Sequence, residues 1–213
     1  MIISHSQKFI FIHIQKNAGT SITRYLDKYL TYQDVILGCT KFGEAINPFY
    51  KQKYQLHKHS YAIKVRNIAG NDVWKEYFTF SFVRNPWDRM VSLYKWCCRG
   101  KYKFTICQEA IEAGSFSNFI RSRCFQSLPE QMEYISDRKG NIIVDFIGKQ
   151  ESINQDFEHI CKQLQIPSVD MEKFKKNVSR SYDKYQNYYN SDEDINIVKK
   201  QFARDIDFFK YSF

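Results

Sequence analysis

Two short stretches carry residue types at spacings that can do chemistry. The first is Gln15-Lys16-Asn17-Ala18-Gly19-Thr20-Ser21, which follows an apolar run and precedes a helical pattern. A loop between a buried strand and a helix start presents backbone N–H groups and the positive end of a helix dipole, which together favour an anion, most naturally a phosphate. Lys16 adds a mobile cation, Gly19 lets the backbone approach a ligand closely, and Thr20 and Ser21 add hydroxyls that could also cap the helix. The loop departs from the G-x-x-x-x-G-K-[ST] pattern: Lys16 precedes Gly19, the leading Gly is absent, and no Lys stands directly before Thr20. It is therefore suited to an anion and poorly built for a nucleoside triphosphate. The second stretch is Arg84-Asn85-Pro86-Trp87-Asp88-Arg89, with Ser92 in the helix that follows. Arg84 offers a planar fork that matches phosphate geometry.

Both stretches need a strand behind them and a helix ahead. Residues 8–14, KFIFIHI, are almost continuously apolar, as in a strand buried on both faces. Ile22, Leu26 and Tyr29 then recur at helical spacing. Residues 77–83, YFTFSFV, repeat the strand pattern, Pro86 suits a first helical turn, and Trp87, Met90, Val91 and Tyr94 form an apolar stripe. Residues 60–65 fit a short strand or a helix, and 142–147, IIVDFI, read as a third strand. Ile153, Phe157, Ile160 and Leu164 mark a helix that stops before Pro167, and a last amphipathic helix runs from a Ser191 cap through Ile195 to Phe209. The expectation is an α/β, three-layer, P-loop-like fold: one domain over 1–213 with a central, mainly parallel sheet flanked by helices. Parallel strands would bring Lys16 and Arg84 to one sheet edge, where ligands of such folds bind.

Composition agrees with a packed domain. The chain has 213 residues, 43% of them hydrophobic and 17% aromatic, too apolar and aromatic for disorder. The net charge is +9, and residues 1–100 supply all of it, with 15 basic against 6 acidic residues, while 101–213 balance at 17 and 17. A one-sided excess points to an anionic partner: nucleotide, sulfated or phosphorylated small molecule, nucleic acid or membrane surface. The six cysteines lack metal spacing and read as free thiols. No apolar run reaches membrane-span length, and the N-terminal stretch reads as a strand and not a signal peptide, so a cytoplasmic location is expected.

The pair HIQKNAGTS (13–21) and FVRNPWDRMVSLY (82–94) resembles the carbohydrate sulfotransferases, in particular the branch of uronyl 2-O-sulfotransferases and their bacterial relatives. Asp145-Phe146-Ile147-Gly148 through Glu151, Asp156-Phe157 and the tail Asp205 to Tyr211 extend the likeness. The resemblance implies sulfuryl transfer from 3'-phosphoadenosine 5'-phosphosulfate to a hydroxyl or amine, with no metal. Lys16, Asn17, Ala18, Gly19, Thr20 and Ser21 would cradle the 5'-phosphosulfate, and Arg84 and Ser92 would hold the 3'-phosphate. Asn177, Ser179 and Arg180 fall where the family has a nucleotide-covering loop. His59, with His57 in reserve, falls on the family's acceptor-site H-x-H and would serve as base; Lys16 would also act catalytically on the leaving group. His13 reads as structural or loop-orienting. Two residues depart from the pattern: Gln15 replaces a Pro, and Ala18 replaces a Gly and is comfortable only in a right-handed conformation.

The acceptor that the resemblance implies is a small molecule or glycan, an anionic sugar being one candidate; the residues leave its identity and the oligomeric state open. Two other classes stay open on residues alone. One is a nucleic-acid-binding module, against which stand dispersed cations and no recognition motif. The other is a degenerate domain of the same fold that only binds an anionic partner.

Overall fold

The computed structural model describes residues 1–174 and 184–213. In chain order the main elements are β1 (Ile2–Ser4), β2 (Phe9–Ile12), α1 (Gly19–Leu26), β3 (Val35–Ile36), α2 (Lys41–Tyr54), α3 (Ala62–Ala69), α4 (Asn71–Glu76), β4 (Phe78–Val83), α5 (Pro86–Cys97), α6 (Thr105–Glu112), α7 (Phe116–Phe119), α8 (Arg123–Gln126), α9 (Gln131–Ile135), β5 (Phe146–Lys149), α10 (Ile153–Gln163), α11 (Met171–Phe174), α12 (Asp192–Gln201) and α13 (Ala203–Phe209). They fall into two compact units: Met1–Val83 with the described part of 131–178, and Arg84–Glu130 with the described part of 179–213.

The first unit is an α/β structure around a five-stranded sheet of order β3-β1-β2-β4-β5. The sheet is mixed and not mainly parallel as expected: β2–β4 and β4–β5 run parallel, while β1 pairs antiparallel with both β2 and β3. The difference lies in the first dozen residues. What reads as a single strand is a hairpin, reversed through Lys8 in the left-handed region and fastened by the Asp34 carboxylate, which accepts from the Ser6 amide at 2.9 Å. The central strand β2 is buried along its whole length, which explains its unbroken apolar sequence. On one face Phe9, Phe11, Phe80 and Phe82 pack with Ile22, Tyr25 and Leu26 of α1 and Ile153, Phe157 and Ile160 of α10. Tight registry is built into β5: a Cβ at Gly148 would lie 2.5 Å from the Phe82 ring.

Three stretches take definite form here. Of the two readings of 60–65, strand or helix, the helix is the one formed, over Ala62–Ala69. The third strand begins at Phe146, later than the 142–147 run, because the Asp145 carboxylate is spent accepting from the Thr79 amide and hydroxyl, both at 2.8 Å. Pro48 sits inside α2, a helix of which only Gly43 is buried, so no apolar stripe announces it.

The second unit is helical. Asn85 caps α5 by accepting from the Trp87 amide at 3.0 Å, and Pro86 occupies the first turn. Trp87, Met90, Leu93 and Cys97 of α5 form a core with Cys107, Phe116, Phe119, Phe125, Val198 and Phe202. The expected last helix is two: the chain bends at Phe202, whose φ of −122° and ψ of 35° leave the helical region while its ring stays fully buried.

Candidate functional site

The loop after β2 has an unusual backbone. Lys16 has φ 69° and Ala18 has φ 59°, while Asn17 between them and Gly19 after them stay at negative φ. Residues that alternate between left- and right-handed conformations turn successive N–H groups into one concavity, the nest geometry that binds anions. The helical ladder of α1 starts only with Ser21 and Ile22, whose amides donate to the Ala18 carbonyl at 2.9 and 3.3 Å. The amides of Gly19 and Thr20 thus precede the ladder, at the positive end of the helix.

Two points left open for this loop are decided by its backbone. Ala18 is left-handed, the conformation in which alanine is not comfortable, so the missing glycine carries a conformational cost of about 1–2 kcal/mol. Neither Thr20 nor Ser21 caps the helix; Ala18 is the N-cap residue and makes no side-chain cap. Thr20 instead lies with its hydroxyl 3.7 Å from the Cys39 sulfur.

Side chains behind the loop hold this strained path. Asn17 is buried and donates both amide hydrogens inward, to the Phe82 carbonyl at 2.8 Å and to Gln131 Oε1 at 2.7 Å. Its Oδ1 is buried without a hydrogen-bond partner among the described residues. Asn17 therefore offers a ligand its backbone, while its side chain anchors the loop to β4 and α9. The ring of His13 lies directly against Gly19: a Cβ there would be 2.2 Å from His13 Cδ2. What approaches Gly19 closely is thus this imidazole, and His13 orients the loop. Its Nδ1 lies 3.7 Å from Cys39 Sγ. Burial, followed by the nearby His59, Lys58 and Lys16 among other charges, holds His13 well below the usual histidine range. Gln131 and Cys39 are the site residues that sequence reasoning missed; nothing in their neighbouring residues marks them.

His59 is placed by the same loop. Its Nδ1 lies 2.8 Å from the His13 carbonyl, and the two rings meet edge to face at 4.7 Å. A carbonyl only accepts, so Nδ1 carries the proton and Nε2 presents the lone pair. That is the tautomer a general base needs. Burial is the main cause that lowers the His59 pKa to about 3, offset in part by the carbonyl hydrogen bond and assisted by Lys58 and His57. His57 is exposed, and its Nδ1 accepts the His59 amide at 3.2 Å. Of the H-x-H pair, only His59 touches the loop through His13.

In the second unit Arg84 is almost fully buried and gripped by Asp88 through two contacts, Nε to Oδ2 at 2.8 Å and Nη2 to Oδ1 at 2.7 Å. Asp88 thus takes one edge of the guanidinium and fixes its plane. Arg89 is buried over the Phe202 ring and is no surface charge. Ser92 lies on α5, partly exposed. Asn177, Ser179 and Arg180 lie outside the described residues. Among the described residues no group of three or more His, Cys, Asp or Glu is placed to hold a metal, and no helix is long and apolar enough to cross a membrane.

The profile described as "Sulfotransferase family" matches residues 1–212. The chain belongs to the sulfotransferase family. A protein of Archaeoglobus fulgidus titled "Uncharacterized protein" is 30% identical over 104 residues, which span 48% of this chain and 80% of that one. No solved structure matches. In this sulfotransferase-family chain, the match takes in the nest at 16–19, the His13–His59 pair and Arg84 alike.

Proposed function

We propose that the protein moves a sulfuryl group from 3'-phosphoadenosine 5'-phosphosulfate to a hydroxyl, or an amine, of a carbohydrate or other small acceptor. The observation that carries the reading is the alternating backbone of Lys16–Gly19 at the start of α1 in a chain of this family. A concavity of amides at a helix N-terminus suits the phosphosulfate end of the donor. For Arg84 and Ser92 as contacts of the 3'-phosphate, support comes from the motif and from the fixed plane of the Arg84 guanidinium. The contribution of Asn177, Ser179 and Arg180 to nucleotide cover rests on the resemblance alone. One domain over 1–213 and a P-loop-like donor site belong to the same proposal.

The chemistry is in-line displacement at sulfur. The acceptor oxygen forms a bond to sulfur as the bond from sulfur to the bridging phosphate oxygen breaks. The acceptor proton passes to His59 Nε2, and the departing 3'-phosphoadenosine 5'-phosphate keeps the electron pair. Lys16 and the loop amides stabilise charge growing on that bridging oxygen, each donor being worth roughly 2.7–4 kcal/mol in comparable sites. His59 is neutral over the whole neutral range. A bound polyanion raises its basicity, since a nearby negative charge favours the imidazolium. His57 is the reserve base.

Calorimetric titration with 3'-phosphoadenosine 5'-phosphate tests the donor class, with ATP and 5'-AMP as controls. Preference for the 3'-phosphorylated nucleotide, largely lost in Arg84→Ala, is expected. Equal binding of ATP, or no binding, would sink the reading. With an acceptor in hand, His59→Asn should retain nucleotide binding and lose about 10²–10⁴ in turnover, the usual contribution of a general base.

A further inference from the structure

Helix α2 is set on the first unit almost without burying itself. Of its 14 residues only Gly43 is buried, and the contact there is with backbone: a Cβ on Gly43 would lie 2.6 Å from the Gly38 carbonyl oxygen. Both ends are fixed. Thr40 caps the start by accepting from the Gly43 amide at 2.9 Å, and Gln55 closes the end at φ 54°. Asn47 ties the middle down, its Oδ1 accepting from the Lys58 amide at 3.2 Å. The helix is held in place, yet its phenylalanines are not what holds it. Phe42, Ala45 and Phe49, at i, i+3 and i+7, share a face different from that of Gly43 and Asn47. That face is open: Phe42 is 62% exposed, Phe49 is 53% exposed, and Ala45 is exposed as well.

Apolar side chains turned to water as a group mark a contact surface. The charges around this one give the sign of its partner. Lys41 stands at the start of the helix and Lys51 and Lys53 at its end, all exposed. Lys53 holds its ammonium over two rings, 5.5 Å from the Phe49 centroid and 5.2 Å from that of Tyr54. Glu44 is the one acid in the helix, and it is engaged: its Oε1 accepts from the Cys39 amide at 2.9 Å and lies 3.8 Å from the Lys58 ammonium. A second copy of the chain is a poor occupant. With lysines at both ends, pairing the face with itself sets cation against cation in either direction, in a chain of net charge +9. Single-stranded nucleic acid also fits less well. It stacks successive bases on ring faces, and here the aliphatic Ala45 and Ile46 stand between Phe42 and Phe49.

We propose that this face of α2 docks the protein on an anionic lipid surface. Apolar rings on one face with lysines beside them are the make-up of a helix that lies in the membrane interface, its apolar side chains roughly 5–10 Å into the headgroup boundary. The lysines then meet lipid phosphates and anionic headgroups. One short face of this kind gives reversible, salt-sensitive attachment. It is a contact and not a span, since among the described residues no helix is long and apolar enough to cross a membrane. The proposal goes beyond the transfer reading and does not rest on it. It also gives a use to cations of the first hundred residues that the donor loop and Arg84 leave over.

The test is co-sedimentation of the full chain with two kinds of vesicle, phosphatidylcholine alone and equal parts of phosphatidylcholine and phosphatidylglycerol, at low and at high salt. Expected is binding to the mixed vesicles about tenfold or more tighter than to the neutral ones, and weaker at high salt. Phe42→Ser/Phe49→Ser and Lys41→Gln/Lys51→Gln/Lys53→Gln should each lose about tenfold or more of that binding. Both variants change only exposed side chains, and an unchanged thermal melt shows that they fold. Phe49→Trp keeps a ring at the site and reads insertion directly: phospholipids brominated on their acyl chains should quench the fluorescence it adds to that of the parent. Vesicle binding that survives the phenylalanine variant, or an added indole that stays unquenched, overturns the proposal, because the protein then adsorbs only as a polycation. Equal binding to both kinds of vesicle overturns it too. Self-association or oligo(dT) binding that the phenylalanine variant abolishes, with vesicle binding intact, overturns it in favour of a second copy or of nucleic acid. Calorimetry with 3'-phosphoadenosine 5'-phosphate keeps the two readings apart: both variants should bind the nucleotide as the parent does, and the failure of either reading leaves the other standing.

Discussion

Ala18 shows how much the loop after β2 asks of single residues. Its φ of 59° is a conformation that glycine adopts freely and alanine does not. Ala18→Gly should relieve about 1–2 kcal/mol of that cost and give back about 0.4–1 kcal/mol through a more flexible unfolded chain. A net gain of roughly 0.5–1 kcal/mol in urea unfolding is expected; a loss would show that the alanine methyl makes compensating contacts. At this scale the sequence was informative where a residue's type limits its use. Lys16 and Arg84 are marked for anion chemistry and His59 for the base by residue type, and those roles belong to the proposal; the close approach expected at Gly19 is filled by the His13 ring. Illegible were the conformations of Lys16 and Ala18, since neither residue type announces a positive φ. The inward turn of the Asn17 side chain was equally hidden, because its partners Phe82 and Gln131 are distant in sequence.

Elements are legible when burial writes a period or a run into them. β2 is a continuous apolar run and β4 alternates Phe with the small hydroxyl residues Thr79 and Ser81, all of them buried but Phe78, and both strands are where the pattern puts them. The β1–β2 hairpin was missed because β1 is only Ile2–Ser4, three residues that are too short to write a strand period of their own ahead of the polar turn. β5 was displaced because Asp145, inside the apolar run, caps another strand's amide. Helix α12 was readable from its start: the Ser191 hydroxyl accepts from the Asp194 amide at 3.3 Å, and Asp192, Glu193 and Asp194 fill the first turn. Ser191→Ala should cost about 1 kcal/mol, as lost N-caps do, measurable as a lower urea midpoint at unchanged slope. A change under a few tenths would mean that the acidic first turn alone suffices.

For the whole molecule, His13 and His59 contribute to the response to acid. His13 and His59 both titrate below the ordinary histidine value of 6.5, His59 at about 3. The native state therefore binds fewer protons than the unfolded chain between those limits. Their contribution to stability is complete above pH 6.5 and is lost progressively as the pH falls toward 3. Thermal melts across that window should fall steadily, and His59→Gln should flatten part of the slope; an unchanged slope would place the acid sensitivity elsewhere. The order in which the chain is laid out has a second consequence, for synthesis. β4 is complete at Val83, but its parallel neighbour β5 starts at Phe146, so about sixty residues separate the two edges that must pair. A ribosome adds roughly 5–20 residues per second, so the nascent chain carries an apolar, unpartnered strand edge for several seconds before its neighbour emerges. That interval is when a chaperone would have most to protect.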